Sequence, residues 1–490
     1  METSVSGLGD DILMTIDFQR LLRNAVSSIV RRLPLILLGF AFSAAFFTYG
    51  YFVGTQHLFP YRQIKFAHAA FRGLNATMFG AADDNTNISS LTKVPLGEME
   101  KRRITAFTSD LASEHLLVPT AINQFPGVCP GGRCAAVEFA RDGRIVRAIP
   151  YRKSEFEKPR LTGLPYELSS TNDDALRVPW GIQQLPGGDI VMTFNMREDF
   201  PFGGGVARIR PNGTVVWFRS DYTHHWPNII GPNEIALTST ELRDGSIYIP
   251  TGGQRGFDLT CPTRYYADLV RVIDFDGKTL EQFSALDALI HSPARGILAV
   301  VDNDQEACDP LHLNYATVVG PELAAHLPGV SPRDFLLSFF QLSALAIVSR
   351  DTHKLIRFYR GPFVHQHAVT PESGSKVLLF DNLGSDGLHT PSRLLEYDLA
   401  TREARVVFPA NGTEDDTYSD PRGSIVFSPD RKRVLVCFSL GGTCYEVRLA
   451  DGKALMKFDN LGDARDVELL GPDRSRYAAR YYVNGLYYVK

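Results

Sequence analysis

No long run of a single charge sign occurs anywhere in this chain. Its 51 Lys and Arg nearly cancel its 55 Asp and Glu, which argues against nucleic acid as the main partner, because neutralising phosphates takes a concentrated basic stripe. A phosphate-cradling loop is missing too: the Gly203–Gly205 run lacks a strand-to-helix setting and reads as a turn. Cysteine is scarce, six in 490 residues. The six fall in neighbouring couples: Cys129 with Cys134, Cys261 with Cys308, and Cys437 with Cys444. An even set arranged this way suits an oxidising compartment, with the first and last couples placed to staple hairpins and the middle one to tie two long loops.

Charge is absent altogether from Leu33 to Val53. As a helix rising ~1.5 Å per residue, this segment covers about 31 Å, the thickness of a bilayer core. Arg20, Arg23, Arg31 and Arg32 precede it and the next Lys or Arg is Arg62, so the positive-inside rule puts the N-terminus in the cytoplasm. A cleaved signal peptide would carry a shorter apolar run of ~7–15 residues, and a buried core helix would keep a polar face. The expected organisation is a cytoplasmic segment 1–32, a transmembrane helix 33–53, a stalk and linker with short helices over 54–120 (one of them within Lys101–Ala121), and a globular domain from 121 to 490.

Phe and Tyr are plentiful, 31 and 19, and Gly and Pro supply 41 and 29, a composition of strands cut by turns. One unit recurs six times between residues 135 and 458: AAVEFARDGRIVRAI, GGVARIRPNGTVVWF, LVRVIDFDGKTLEQF, LAIVSRDTHKLIRFY, RLLEYDLATREARVVF and CYEVRLADGKALMKF. In each, alternating apolar residues run into a tight turn, the hairpin signature. A further apolar run precedes most copies: GDIVMTF, GSIYIP, DFLLSFF, SKVLLFD and KRVLVCF. Repeated four-strand units of about 40–50 residues predict an all-β propeller over a β-sandwich. The terminal YAARYYVNGLYYVK reads as closing strands that complete a unit with the start of the domain. Long loops over Arg255–Tyr265 and Val301–Pro332 interrupt the repeat as binding elements.

Histidines fall at the entries to three of these units. His224 and His225 precede WPNIIGPNEIAL, His312 precedes NYATVV, and His365 and His367 precede AVTPESGSKVLLF. The repeat puts them at one equivalent position in three blades, facing a common axis. Histidine suits proton transfer, nucleophilic attack or metal binding near neutral pH.

The order and spacing of DPLHLNYATVV, PFVHQHAVTPESGSKVLLFDN, SRLLEYDLATREARVVF and HHWPNIIGPNEIAL resemble the bacterial arylsulfate sulfotransferases, which are six-bladed periplasmic propellers. The resemblance implies a six-bladed β-propeller behind one transmembrane helix, set in the cell inner membrane and facing the periplasm. It implies sulfuryl transfer from an aryl sulfate to a phenol through a sulfohistidine, with no cofactor. His367, in the Gln366-His367 pair, would be the nucleophile, His312 the second catalytic histidine and His225 or His224 the third, with His365 and Asn314 in support. The family's arginine in the strand after the second histidine is Phe340 here, so Arg333 or Arg393 would have to supply the cation. On the residues alone two other readings stand: a zinc hydrolase or lyase held by His365, His367 and another histidine, and a non-catalytic propeller binding a ligand or partner.

Overall fold

The computed structural model describes Leu33, Leu37 and residues 41–49, then most of 88–489; outside the description lie 110, 112, 121–123, 157–177, 196–203, 246, 250–256, 260–263, 301–308, 383–391, 410–416, 418, 420–421, 464 and 466–471. Residues 1–83 and 84–490 form separate units. In the first, Leu33, Leu37 and 41–49 are helical, with Phe42, Phe46 and Phe47 exposed. The rest of the expected span 33–53 lies outside the described residues, and among those described no helix is long and apolar enough to cross a membrane.

The second unit is all-β. Among the described residues six antiparallel sheets of four or five strands follow one another along the chain. The second sheet is Val178–Gln184, Ile190–Asn195, Gly205–Ile209 and Val215–Arg219; the third is His224–Gly231, Glu234–Asp244, Arg264–Ile273 and Thr279–Ser284. The fourth is Leu313–Val318, Phe335–Phe339, Ala344–Val348 and Leu355–Arg360; the fifth is His367–Pro371, Lys376–Asp381, Arg393–Asp398 and Ala404–Phe408. The sixth is Ser424–Phe427, Arg433–Phe438, Thr443–Arg448 and Lys453–Asp459, extended by Ile104–Ala106. The first sheet takes Leu116–Pro119, Cys134–Phe139 and Ile145–Pro150 from early in the chain and Tyr487–Tyr488 from its end.

All six repeats read from the sequence form the third and fourth strands of their sheets. The local cause is turn chemistry. Gly143, Gly213 and Gly277 follow Asp or Asn and adopt φ of 86°, 84° and 82°, and His353, Arg402 and Gly452 take the corresponding left-handed place in the other three. Middle strands such as Phe335–Phe339 and Ala344–Val348 are buried along their whole length, whereas the outer strand Ala404–Phe408 is largely open. Exposed arginine on an outer strand, such as Arg405, discourages edge-to-edge association.

Each sheet is tied to the next. Ile182 N–H donates to the Tyr487 hydroxyl (3.1 Å), Thr193 Oγ1 to the His225 carbonyl, Asn228 Nδ2 to the Ala316 carbonyl (2.9 Å) and Asn314 Nδ2 to the Gln366 carbonyl (2.7 Å). Asn382 Nδ2 bonds the carbonyls of Ser419 (2.5 Å) and Arg422 (3.1 Å). The sixth sheet packs back on the first: Tyr488 donates to Glu446 (2.9 Å), and this fully buried carboxylate also holds Arg141 and Arg433. Three charges and a hydroxyl satisfy one another where a lone buried charge would be costly.

Three expectations need correction. The second strand of the third sheet is Glu234–Asp244; the GSIYIP run forms a separate hairpin, Ile247–Ile249 with Phe257–Leu259. Pairing with the sheets begins inside the presumed stalk, since Ile88–Pro95 joins Tyr477–Tyr481 and Ile104–Ala106 joins the sixth sheet. Among the described residues of Lys101–Ala121 only the end of the helix Met99–Arg102 is helical, and two short strands follow it. Cys129–Cys134 and Cys437–Cys444 are disulfides as expected, while Cys261 and Cys308 lie outside the described residues.

Glycine 423 marks how tightly the sheets meet. A Cβ there would sit 2.1 Å from the ring of Phe380, which is fully buried. Gly423→Ala is expected to cost about 1–3 kcal/mol through overpacking, read as a lowered Tm in thermal denaturation.

Candidate functional site

The histidines converge. Ring centroids of His225 lie 4.7 Å from His224, 5.2 Å from His312 and 5.8 Å from His367. His224 and His367 are the first paired residues of their strands, opposite Thr238 and Phe380. The equivalent place in the fourth sheet is Leu313, opposite Phe339, so His312 stands one residue earlier and His225 one later. The single shared position expected from the sequence is therefore three staggered ones. Each first strand is bulged just past its entry, and the left-handed backbone at His225 (φ 57°), His312 (φ 50°), His365 (φ 55°) and Ala368 (φ 54°) accompanies those entries. Such φ values in non-glycine residues cost on the order of 1–3 kcal/mol each and cluster where geometry matters.

His367 is fixed most completely. Its Nδ1 lies 2.7 Å from Asn382 Oδ1 and 3.1 Å from the His365 carbonyl. Because Asn382 Nδ2 is already spent on two carbonyls, its Oδ1 is the acceptor, and so is the carbonyl. The proton therefore sits on Nδ1 and the lone pair on Nε2. Burial, the dominant cause, brings the His367 pKa down to about 3, with the neighbouring His312 and His365 adding to it. Burial likewise holds His224 and His225 well below the ordinary 6.5, each helped by neighbouring histidines. His224 and His225 share a hydrogen bond, Nδ1 to Nδ1, at 2.5 Å.

The supporting residues divide by role. Gln366 is fully buried and donates to Ser338 Oγ (2.9 Å) and the carbonyls of Phe339 (3.2 Å) and Ala344 (3.0 Å), pinning the His365–His367 segment to the fourth sheet. Asn314 grips the same segment from its backbone side. Phe340 stands among the histidines, stacked on His365 at 4.2 Å and lying 5.1 Å from His312 and 5.4 Å from His367.

Neither cation nominated from the sequence serves the cluster. Arg333 pairs with Glu234 and its side chain is 44% exposed; Arg393 is held by buried Asp381 at 2.8 Å. Sequence reasoning missed Arg422 instead. Its guanidinium lies 4.6 Å above the Trp180 ring, Trp180 lies 6.1 Å from His225, and its charge is felt at His225. One signal was available: Arg422 precedes its sheet's first strand by two residues, as His365 does. Among the described residues no group of three or more His, Cys, Asp or Glu is arranged to hold a metal ion. A cleft of about 630 Å³ lined by Gln184–Gly188, Ile229, Gly231, Pro232 and Phe275 lies at the other end of the third sheet's first strand from His224.

The sequence profile of the family described as Arylsulfotransferase (ASST) matches residues 181–460, more than half of the chain. The chain belongs to the arylsulfotransferase family. The match spans every histidine of the cluster and Arg422. No curated protein matches the sequence. Among solved structures, a protein of unknown function from Bacteroides caccae is similar over 77% of this chain and 100% of its own, at 9% identity and a TM-score of 0.43. Virginiamycin B lyase from Staphylococcus aureus is similar over 59% and 72%, at 12% identity and a TM-score of 0.32. A putative 6-phosphogluconolactonase from Bacteroides fragilis is similar over 78% and 99%, at 9% identity and a TM-score of 0.35.

Proposed function

We propose that this arylsulfotransferase-family chain is a six-bladed β-propeller that moves a sulfuryl group from an aryl sulfate to a phenol through a sulfohistidine at His367. The observation that carries the reading is the pair of acceptors at His367 Nδ1, which leaves a neutral Nε2 lone pair beside three other imidazoles. A neutral imidazole attacks sulfur in line and splits one hard displacement into two easier ones. Arg422 takes the place of the missing family arginine and faces the sulfuryl oxygens, while Phe340 and Trp226, the latter 5.9 Å from His367, flank the aryl group. Leu33–Val53 anchors the chain in a membrane with the sheets outside the cytoplasm, a setting in which the two disulfides persist.

The test is release of p-nitrophenol from p-nitrophenyl sulfate, stimulated by phenol, with one sulfuryl group found on His367 by peptide mass analysis after donor alone. No turnover and no modification across a panel of aryl sulfates overturns the reading. Arg422→Gln is expected to lower kcat/KM for the donor by roughly 10²-fold, and Arg422→Lys to recover part of it, since charge is kept but the two-pronged donor is lost. Unchanged kinetics in both variants would remove Arg422 from the site.

A further inference from the structure

Two carboxyl groups stand behind His312, and the transfer described above leaves them unused. Asp309 Oδ1 accepts the His312 backbone N–H at 3.0 Å, and its Oδ2 lies 2.5 Å from His312 Nδ1. The Asp309 side chain is 4% exposed and that of His312 16%, so the carboxylate is sealed from water while the imidazole keeps an opening. Asp268, from the third strand of the third sheet, is fully buried with Asp309 as its charged neighbour and the amides of His312 and Leu313 beside it. Burial, reinforced by Asp309, holds the Asp268 carboxyl well above its ordinary range. Asp268 therefore holds a proton more readily than an ordinary carboxyl. From other strands His312 faces His224 and His225 of the third sheet and His367 of the fifth, and these three are neutral, so Asp309 is the counter-charge available to an imidazolium at His312.

We propose that Asp309, with buried Asp268 behind it, is a positioning residue that makes His312 the proton carrier of sulfuryl transfer; the inference rests on the function proposed above. Asp309 Oδ2 accepts the Nδ1 proton of His312, which directs Nε2 to the reacting groups. In the first half-reaction the His367 Nε2–S bond forms and the S–O(aryl) bond breaks. The aryl oxygen keeps the bonding pair and takes the proton from His312 Nε2. In the second, the acceptor oxygen bonds sulfur, the N–S pair returns to His367, and the acceptor's proton passes to His312 Nε2. The imidazolium that opens and closes each cycle is paired with Asp309.

The decisive comparison is Asp309→Asn with two donors. p-Nitrophenolate departs without a proton, whereas phenolate needs one. Sulfation of His367 by p-nitrophenyl sulfate should stay within about tenfold of wild type, while sulfation by phenyl sulfate and onward transfer to phenol should each fall by roughly 10²-fold or more. Asp268→Asn, which copies a neutral acid, should stay within a few-fold of wild type. A far-downfield Nδ1 proton resonance from His312 should appear in wild type and vanish in Asp309→Asn. Equal losses with both donors, no loss with either, or a resonance that survives Asp309→Asn overturns the proposal. An Asp268→Asn variant as impaired as Asp309→Asn overturns the reading of Asp268 as the carboxyl that holds a proton more readily. Wild-type protein that shows the resonance yet sulfates His367 from neither donor overturns the sulfotransferase reading itself, and the proton role falls with it.

Discussion

His367→Asn is expected to remove sulfuryl transfer, a loss of about 10⁴-fold or more, because the proposed covalent intermediate forms on the His367 Nε2. The variant keeps a polar side chain of similar size in a position packed by Trp226, Phe340 and Asn382, so the fold should survive, as circular dichroism would verify. A milder companion separates nucleophile from orientation. Asn382→Ala leaves the His365 carbonyl as the remaining acceptor at His367 Nδ1, loosens the tautomer and should lower kcat by roughly 10–10²-fold, with the modified residue still His367. A His367→Asn protein retaining transfer above a tenth of wild type would move the covalent intermediate elsewhere.

Acid is expected to destabilise this protein steeply from about pH 6.5 downward. His224, His225 and His367 are buried and neutral, with His367 lowered to about 3 and the other two also well below 6.5. Unfolding returns each to its ordinary value of 6.5, so in this window the unfolded chain binds three protons that the native chain refuses. Asp268 works the other way, holding a proton more readily in the fold than when released to its ordinary 3.8. The net uptake on unfolding is about two protons, and stability falls by about 2–3 kcal/mol per pH unit as pH drops below 6.5. Denaturant midpoints measured between pH 7.5 and 5 would show the slope. His367→Asn should remove about one proton of it, and a flat profile would mean the imidazoles are not buried as described.

What was legible in the sequence was local. The six outer hairpins declare themselves because tight turns, Asp-Gly or Asn-Gly in four of them, and alternating side chains act over a dozen residues. The first strands are harder to place. They are short and bulged, their registers are set by partners in the next sheet, and one entry position became three staggered ones. The third sheet misled for a related reason, since GSIYIP alternates as well as NEIALTST and only pairing with Arg264–Ile273 separates them. The histidines could be found because few other roles put imidazole at repeated strand entries. Arg422 could not be weighed against Arg333 and Arg393 without knowing that Glu234 and Asp381 occupy the latter two. Asp268 was invisible for the same reason: a lone aspartate in a strand of the third sheet meets Asp309 only after folding.

The end of the chain holds the middle of it. Asn484 accepts from the Trp226 indole (2.8 Å), Tyr487 receives the Ile182 amide, and Tyr487–Tyr488 pairs with Leu116–Leu117. Trp226 in turn packs on His367. A chain still emerging from the ribosome thus carries all five histidines of the cluster long before it carries their backing, because residues 484–488 are made more than a hundred positions after His367.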